Sequence, residues 1–306
     1  MDAIEANREG RPTVSVVIPF YQGLTWLEEA IRSVLDQTRA VDEVIVVNDG
    51  SPEDLSHFLE KYGALITYIE TENGGPAAAR NIGLQAVSCE YVAFLDSDDV
   101  WKVDKNEKQL AAMLDQGACW SHTGYELFDT ESADRSTIRT VSIGTFDGNL
   151  FPRMMYSNPL ATPSIMIRSA LLKDDVSLRF GEGMRYGQDQ YLWMMAALQH
   201  PILAIDEPLV RVRMRGQNAA LRARVQLRAR AQLYLKLKEA RRSRCSELSL
   251  SSRFGFGWCV AGEKIVERAE RGVASPVVAE WIARVLYAVP WALFKINAGR
   301  ERRRAA

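Results

Sequence analysis

Residues 91–101 read Tyr-Val-Ala-Phe-Leu-Asp-Ser-Asp-Asp-Val-Trp, an apolar run that passes straight into Asp96, Asp98 and Asp99. A short, unbroken apolar segment closed by polar residues predicts a strand buried on both faces. The same pattern stands upstream. Val14–Ile18 (VSVVI) is a β-rich run expected to stop at Pro19, and Val44–Val47 (VIVV) ends in Asn48-Asp49-Gly50-Ser51. A further strand is expected near 65–69. Between these runs, Leu24, Leu27, Ile31, Val34 and Leu35 recur at the spacing of an amphipathic helix. A second helix is expected near 53–62. Gly74-Gly75-Pro76 opens a third that runs to about Val87, with Pro76 suited to its first turn. Strands alternating with helices predict an α/β fold: a doubly wound, mostly parallel sheet with helices on both faces. Ligands bind such sheets beyond the carboxyl ends of the strands. Pro19–Tyr21, Asn48–Ser51 and Asp96–Asp99 all fall there.

Composition narrows the classes. With 47% hydrophobic and 25% charged residues among 306, the chain reads as globular, not disordered or fibrous. A net charge of −1 hides an asymmetry: residues 211–306 hold 22 Lys and Arg against 7 Glu and no Asp, a net +15, which leaves −16 on residues 1–210. Such a split predicts two parts with different neighbours. Cys89, Cys119, Cys245 and Cys259 form no CxxC or CxxH spacing, which predicts reduced thiols and a cytoplasmic setting. Residues 1–13 are polar and lack the pattern of a secretory signal. No uninterrupted apolar run reaches about eighteen residues, so no spanning helix is expected. His57, His122 and His200 lie far apart and form no zinc motif.

A dinucleotide fingerprint, a P-loop and a nucleophile elbow are each missing from the sequence. The acidic cluster after Leu95 carries the chemistry instead. Several carboxylates on one turn repel one another and resist desolvation unless a cation joins them. Mg²⁺ characteristically takes one or two protein carboxylates and completes its shell with water and phosphate. Asp98 is the expected metal carboxylate, with Asp96 facing a sugar hydroxyl. The competing reading is an Asp-rich turn that caps a helix after Trp101.

The segments VSVVIPFYQGLTWLEEAIRSVLDQT, DEVIVVNDGSPED, NGGPAAARNIGL and YVAFLDSDDVW, in this order and spacing, resemble the family 2 glycosyltransferases. These are inverting enzymes of the GT-A fold, and the resemblance covers roughly residues 13–215. It implies a nucleotide-diphosphate sugar donor, UDP-linked by preference, and a divalent metal, Mn or Mg. Carried over to matching positions, Pro19 and Tyr21 would line the nucleotide pocket. Asp49 would accept a hydrogen bond from the base, Arg80 would lie near the nucleotide, and Asp96 and Asp98 would contact ribose and metal. Helix capping for Asp49 and an ion pair for Arg80 remain the bland alternatives. Asp189, in Gly187-Gln188-Asp189-Gln190-Tyr191-Leu192-Trp193, matches the family's catalytic base, although Gln188 stands where a Glu is usual. Its own alternative is to cap the helix expected from Asp189 to Leu198. Arg215 stands where a His is common, which puts a third metal contact in doubt and suggests a diphosphate clamp.

The remainder of the chain suggests a partner surface. Along 221–238 every odd position is apolar and every even one is polar or Tyr, a strand-like alternation in strong helix formers. Length and composition predict a helix. Val278, Trp281, Ile282, Val285, Leu286 and Val289 form an apolar helical stripe, and Arg300, Arg302, Arg303 and Arg304 follow. An anionic membrane surface suits this combination, as does packing in a homo-oligomer through the C-terminal helices. Nucleic acid is not expected, since Tyr234 is the single aromatic within the basic run. The expected division is a tail (1–12), a GT-A glycosyltransferase domain (13–215) and a basic helical extension (216–306). The acceptor would be a glycan or lipid-linked glycan, with Trp101 and Asn158–Ser164 bordering its cleft. The protein would be cytoplasmic, peripheral on the inner face of the cell membrane. Competing classes are a non-catalytic nucleotide-sugar-binding scaffold and a sugar nucleotidyltransferase. The latter would need a basic, Gly-rich loop after the first strand, and Pro19–Gly23 has no basic residue.

Overall fold

The apolar runs become strands because each is covered on both faces. The computed structural model describes residues 11–129, 136–184, 186–214, 223–240, 242–272 and 275–305. Its parallel strands are β1 (Val14–Phe20), β2 (Glu43–Asp49), β3 (Thr67–Thr71) and β4 (Tyr91–Phe94), in the order β3-β2-β1-β4. The even residues of β1, Val14 to Phe20, share a core with Leu27, Ala30, Ile31 and Val34 of α1 (Leu24–Leu35) and with Phe58 and Tyr62 of α2 (Ser56–Tyr62). The odd face meets α3 (Pro76–Ala86) at Gly83, where an added Cβ would come within 2.5 Å of Val17 and 3.3 Å of Val47. Only glycine lets this helix lie so close.

β1 continues through Pro19 to Phe20, two residues beyond the expected run Val14–Ile18. The reason lies in the neighbours. Val17 accepts the last ladder bond from Leu95, so the same edge of β1 at Pro19 faces the place where β4 has ended. A missing N–H costs nothing there. The parting of β1 and β4 is also the topological switch point of the sheet, where ligands bind in folds of this kind.

Beyond β4 the sheet changes direction. β5 (Val100–Trp101), α4 (Lys105–Gln116), β6 (Trp120–Asp129), β7 (Thr137–Val141), α5 (Arg153–Tyr156), β8 (Ile165–Arg168), α6 (Ser169–Asp174), α7 (Gln188–Ala197) and β9 (Leu203–Met214) follow. The full order is β3-β2-β1-β4-β8-β6-β9-β5, with β7 on β6. β8 runs antiparallel to both β4 and β6, and β5 antiparallel to β9, so the sheet is mixed.

By packing, the chain forms two units. The sheet unit comprises residues 1–148, 160–179 and 201–213, and the helical unit 149–159, 180–200 and 214–306. The linear division at 215/216 assigned 149–159 and 180–200 to the sheet domain, whereas their contacts lie with the C-terminal helices. These are α8 (Ala223–Ala240), α9 (Leu250–Arg271) and α10 (Pro276–Ala305). The alternating segment is therefore helical within its described residues, and it buries Val225, Leu227, Ala231, Leu233 and Leu237. On α10 the packed face is Ala279, Ala283, Tyr287, Phe294 and Ala298, while Val278, Trp281, Val285 and Val289 of the expected stripe are exposed. Pro276–Glu301 contains an 18-residue window of mean hydropathy 1.5 and is long and apolar enough to cross a membrane by length and composition alone. The criterion of an uninterrupted apolar run passed over it because isolated charges break the run.

His122, on β6, is fully buried and its Nε2 lies 2.7 Å from the carbonyl of Phe146. Burial pushes this imidazole down from 6.5 to about 4. Below pH 6.5 the unfolded chain takes up a proton that the folded chain refuses until about pH 4. The stability contributed by the neutral ring is thus complete above pH 6.5 and is lost as pH falls towards 4. Urea denaturation at successive pH values should show this loss, and His122→Gln should flatten it by up to about 3 kcal/mol.

Candidate active site

The acidic turn begins where β4 leaves the sheet. Asp99 N–H bonds back to the carbonyl of Asp96 at 3.0 Å, and the chain re-enters the sheet at once as β5, paired with β9. Asp99 is buried, and its Oδ1 accepts the backbone N–H of Arg213 at 2.8 Å. The Arg213 side chain then closes the turn. Its Nε donates to the carbonyl of Asp98 at 2.6 Å and its Nη2 to Glu29 at 2.7 Å, and the guanidinium lies 4.8 Å from the Phe128 ring centroid. Burial above all, and then the charges of Asp98 and Asp96, push the Asp99 carboxyl well above its usual range, against the pull of Arg213. The helix that follows, α4, has Asp104 at its N-cap position, so the acidic turn does not cap it.

Arg80 approaches from α3 and forms an ion pair with Asp96, with its own side chain only 8% exposed. Asp49, at the end of β2, is buried and accepts the N–H of Gly74 at 2.8 Å. Since Gly75 is the N-cap of α3, with φ 84°, this bond joins β2 to the turn ahead of the helix and is not itself the cap. Pro19 is buried within β1, and Tyr21 stands 43% exposed just beyond it. Pro19, Tyr21, Asp49, Arg80, Asp96 and Asp98 thus all belong to the sheet unit, at or beside the carboxyl ends of β1, β2 and β4.

Sequence reasoning missed two supports of this edge. Glu53 accepts the N–H groups of Gly23 at 2.7 Å and Leu24 at 3.0 Å, so it caps α1 from thirty residues away. Neither local spacing nor composition signals such a cap. Arg213 is the second, and it organises the acidic turn from β9. Trp101 proves to be a core residue rather than part of an open cleft: it is 3% exposed, and its Nε1 donates to the Pro163 carbonyl at 3.0 Å. Lys105, fully buried, sits with Nζ 3.8 Å from the Trp101 ring centroid and 2.7 Å from Oε1 of Gln109. Burial holds its pKa well below the usual lysine range.

The expected base lies in the helical unit. Gly187, with φ 76°, is the N-cap of α7, and Asp189 is half-buried in the first turn. The N-cap residue is thus Gly187, and Asp189 stands two positions inside the helix, not at the cap. Gln188, the departure from the usual acid, donates from Nε2 to the Met184 carbonyl at 2.8 Å. An ionised Glu could not donate this bond. Trp193 is fully buried, edge-on to Phe180 at 5.6 Å. Arg215 lies outside the described residues.

Among the described residues no group of three or more His, Cys, Asp and Glu could hold a metal ion by itself. The acidic turn nevertheless suits a divalent cation that shares its shell with phosphate. Burial, and then the charges of Asp98 and Asp96, hold a proton on Asp99 beyond the usual range, and a cation would relieve the part due to those charges.

Breaking the Arg213–Glu29 pair should be costly, since the Arg213 side chain is 1% exposed. Arg213→Met is expected to lower stability by about 3–5 kcal/mol in urea denaturation, with partial recovery when Glu29→Gln is added.

Comparisons with known proteins bear on this site. The sequence profile described as Glycosyl transferase family 2 matches residues 15–172. A glycosyltransferase of Rickettsia bellii, itself uncharacterised, is 39% identical over 207 residues, 67% of this chain but only 29% of that protein. Escherichia coli WfgD, named as a UDP-Glc:alpha-D-GlcNAc-diphosphoundecaprenol beta-1,3-glucosyltransferase, is 29% identical over 195 residues, 63% of this chain and 73% of the other. The crystal structure of S. aureus TarS 1-349 in complex with UDP-GlcNAc superposes with a TM-score of 0.60 over 93% of this chain and 92% of that one, at 20% identity. That likeness is one of fold, in agreement with the expected GT-A architecture. With more than half of its length matched by the profile, the chain belongs to glycosyl transferase family 2.

Proposed function

We propose that the protein is a metal-dependent, inverting glycosyltransferase that takes its sugar from a nucleotide diphosphate, UDP in preference. The observation that carries this reading is the gathering of Asp49, Asp96 and Asp98 at the carboxyl edge of the parallel strands, with Arg80 buried against Asp96 and Arg213 bracing the turn. Asp49 would accept the imide N–H of uracil, and Pro19 and Tyr21 would line the base. Asp96, oriented by Arg80, would meet the ribose. Asp98 would hold Mn²⁺ or Mg²⁺, which when bound would neutralise charge on the departing diphosphate. Arg215 would assist from the phosphate side.

Asp189 would take the proton of the acceptor hydroxyl as that oxygen attacks the anomeric carbon from the face opposite the leaving group. One displacement suffices, with no covalent enzyme intermediate, and the anomeric configuration inverts. The acceptor would be a glycan or lipid-linked glycan, reached in the cytoplasm at the inner face of the cell membrane. The name of the E. coli relative supports a lipid-linked acceptor.

Calorimetric titration with UDP and GDP, each with and without Mn²⁺, tests the donor site. UDP binding that needs the metal and disappears in Asp98→Ala is the expected result. UDP binding that ignores both would remove Asp98 from the metal role, and binding of neither nucleotide would overturn the enzyme reading. Asp189→Asn should keep UDP binding while transfer falls by roughly 10²–10⁴. Unaltered transfer in that variant would move the base elsewhere.

A further inference from the structure

The helical unit contains a cavity of about 630 Å³ whose walls are basic and aromatic. We propose that it receives the phosphate-bearing head of a lipid acceptor, and that the exposed apolar face beside it takes the lipid from a membrane surface. The proposal rests on the glycosyltransferase reading only in calling that lipid the acceptor.

The charge comes first. Arg230 of α8 and Lys295 of α10 line the cavity, and among the described residues no Asp or Glu does. Arg230 is only 9% exposed. It donates to the carbonyls of Met155 and Tyr156, the latter at 3.1 Å, and lies 5.4 Å from the Phe294 ring centroid. Among the described residues it forms no ion pair. A guanidinium fixed by neutral partners and drawn out of water keeps its full attraction for an anion, and it has donors suited to phosphate oxygens. Lys295, exposed and 5.7 Å from the Trp291 ring centroid, adds a second cation at the rim.

The apolar element adjoins the charge. Trp291 both lines the cavity and stands 52% exposed. The exposed row Trp281, Val285, Val289 and Ile296 runs along α10 past it, and Phe254 and Trp258 of α9 are exposed as well. Trp258 joins the two helices by donating from Nε1 to the Leu286 carbonyl at 2.8 Å. An apolar face with aromatic residues, next to an anion-seeking cavity, matches the two halves of a phosphorylated amphiphile. Gln190, the neighbour of Asp189 on α7, also lines the cavity, which sets the proposed lipid head beside the proposed base.

Flotation of the full chain with three kinds of phosphatidylcholine vesicle tests this: the lipid alone, with phosphatidic acid, and with phosphatidylserine at matched surface charge. Phosphatidic acid offers a phosphate monoester, and phosphatidylserine offers charge without one. Wild type should prefer the phosphatidic acid vesicles by about tenfold over phosphatidylserine, the effect of one or two charge-assisted hydrogen bonds. Lys295→Ala and Arg230→Lys, each checked for an unchanged melting temperature, should lose that preference. Should Arg230→Lys fail to fold, Lys295→Ala and Trp291→Ala carry the test. Equal binding to both anionic vesicles would reduce the effect to surface charge and overturn the cavity. So would inorganic diphosphate that saturates the protein while vesicles do not bind, or a lipid-free dimer that hides Trp281 and Trp291 and abolishes vesicle binding. UDP titration of the wild type reports on the donor reading separately. UDP binding without the phosphatidic acid preference sinks only the cavity, whereas the preference without UDP binding sinks only the parent reading.

Discussion

Crowding carboxylates at the edge of a sheet is the constraint around which the sheet unit is arranged. Asp96, Asp98 and Asp99 follow one another within a single turn, and Asp99 is buried there. Left alone, such a turn would unfold outward into water, where repulsion and desolvation are both relieved. Arg213 prevents this by holding backbone and side-chain groups of the turn from β9 while its own charge is balanced by Glu29. Arg80 does the corresponding work for Asp96 from α3. The antiparallel strands therefore serve the parallel ones: β9 exists beside β5 in a position that brings a guanidinium under the acids.

How much of this was legible in sequence depends on the range of each interaction. β1, β2 and β4, with α1 and α3, follow from runs and spacings within a dozen or so residues, the scale on which burial leaves a periodic trace. The clusters Asn48–Ser51 and Asp96–Asp99 stand out because they end those strands, and the family resemblance singles out Asp49, Asp96 and Asp98 within them. The bond from Arg213 to Asp99 spans 114 residues and that from Glu53 to Gly23 spans 30, and no local pattern encodes either. Pro19 misled because a proline ends a strand only where its missing N–H would have been used. On α10 the apolar stripe was real, but small residues such as Ala279 and Ala283 form the packed face and leave the large ones outside. Hydrophobicity alone does not say which side of a helix finds a partner.

The departures from the family pattern read differently once the contacts are known. Gln188 is an amide because it must donate to a carbonyl at the entrance to α7. Its neutral character is thus explained by local structure and need not signal a lost activity. Asp189 follows in the first turn of a helix whose N-cap is glycine. A helix start of this kind is a favourable place for negative charge.

The two units are interleaved in sequence, the chain passing from one to the other five times. Residues 149–159 and 180–200 leave the sheet unit to pack with helices that are translated later. A ribosome finishing residue 213 has therefore released strands that can pair, but also two segments whose partners have not yet emerged. Met154, Leu192, Trp193 and Met195, all buried in the finished protein, belong to those two segments. The same reasoning limits how the gene can be divided. A fragment cut after β9 would keep the acidic turn and its arginines, and would carry those two stretches as permanently unpaired apolar surface.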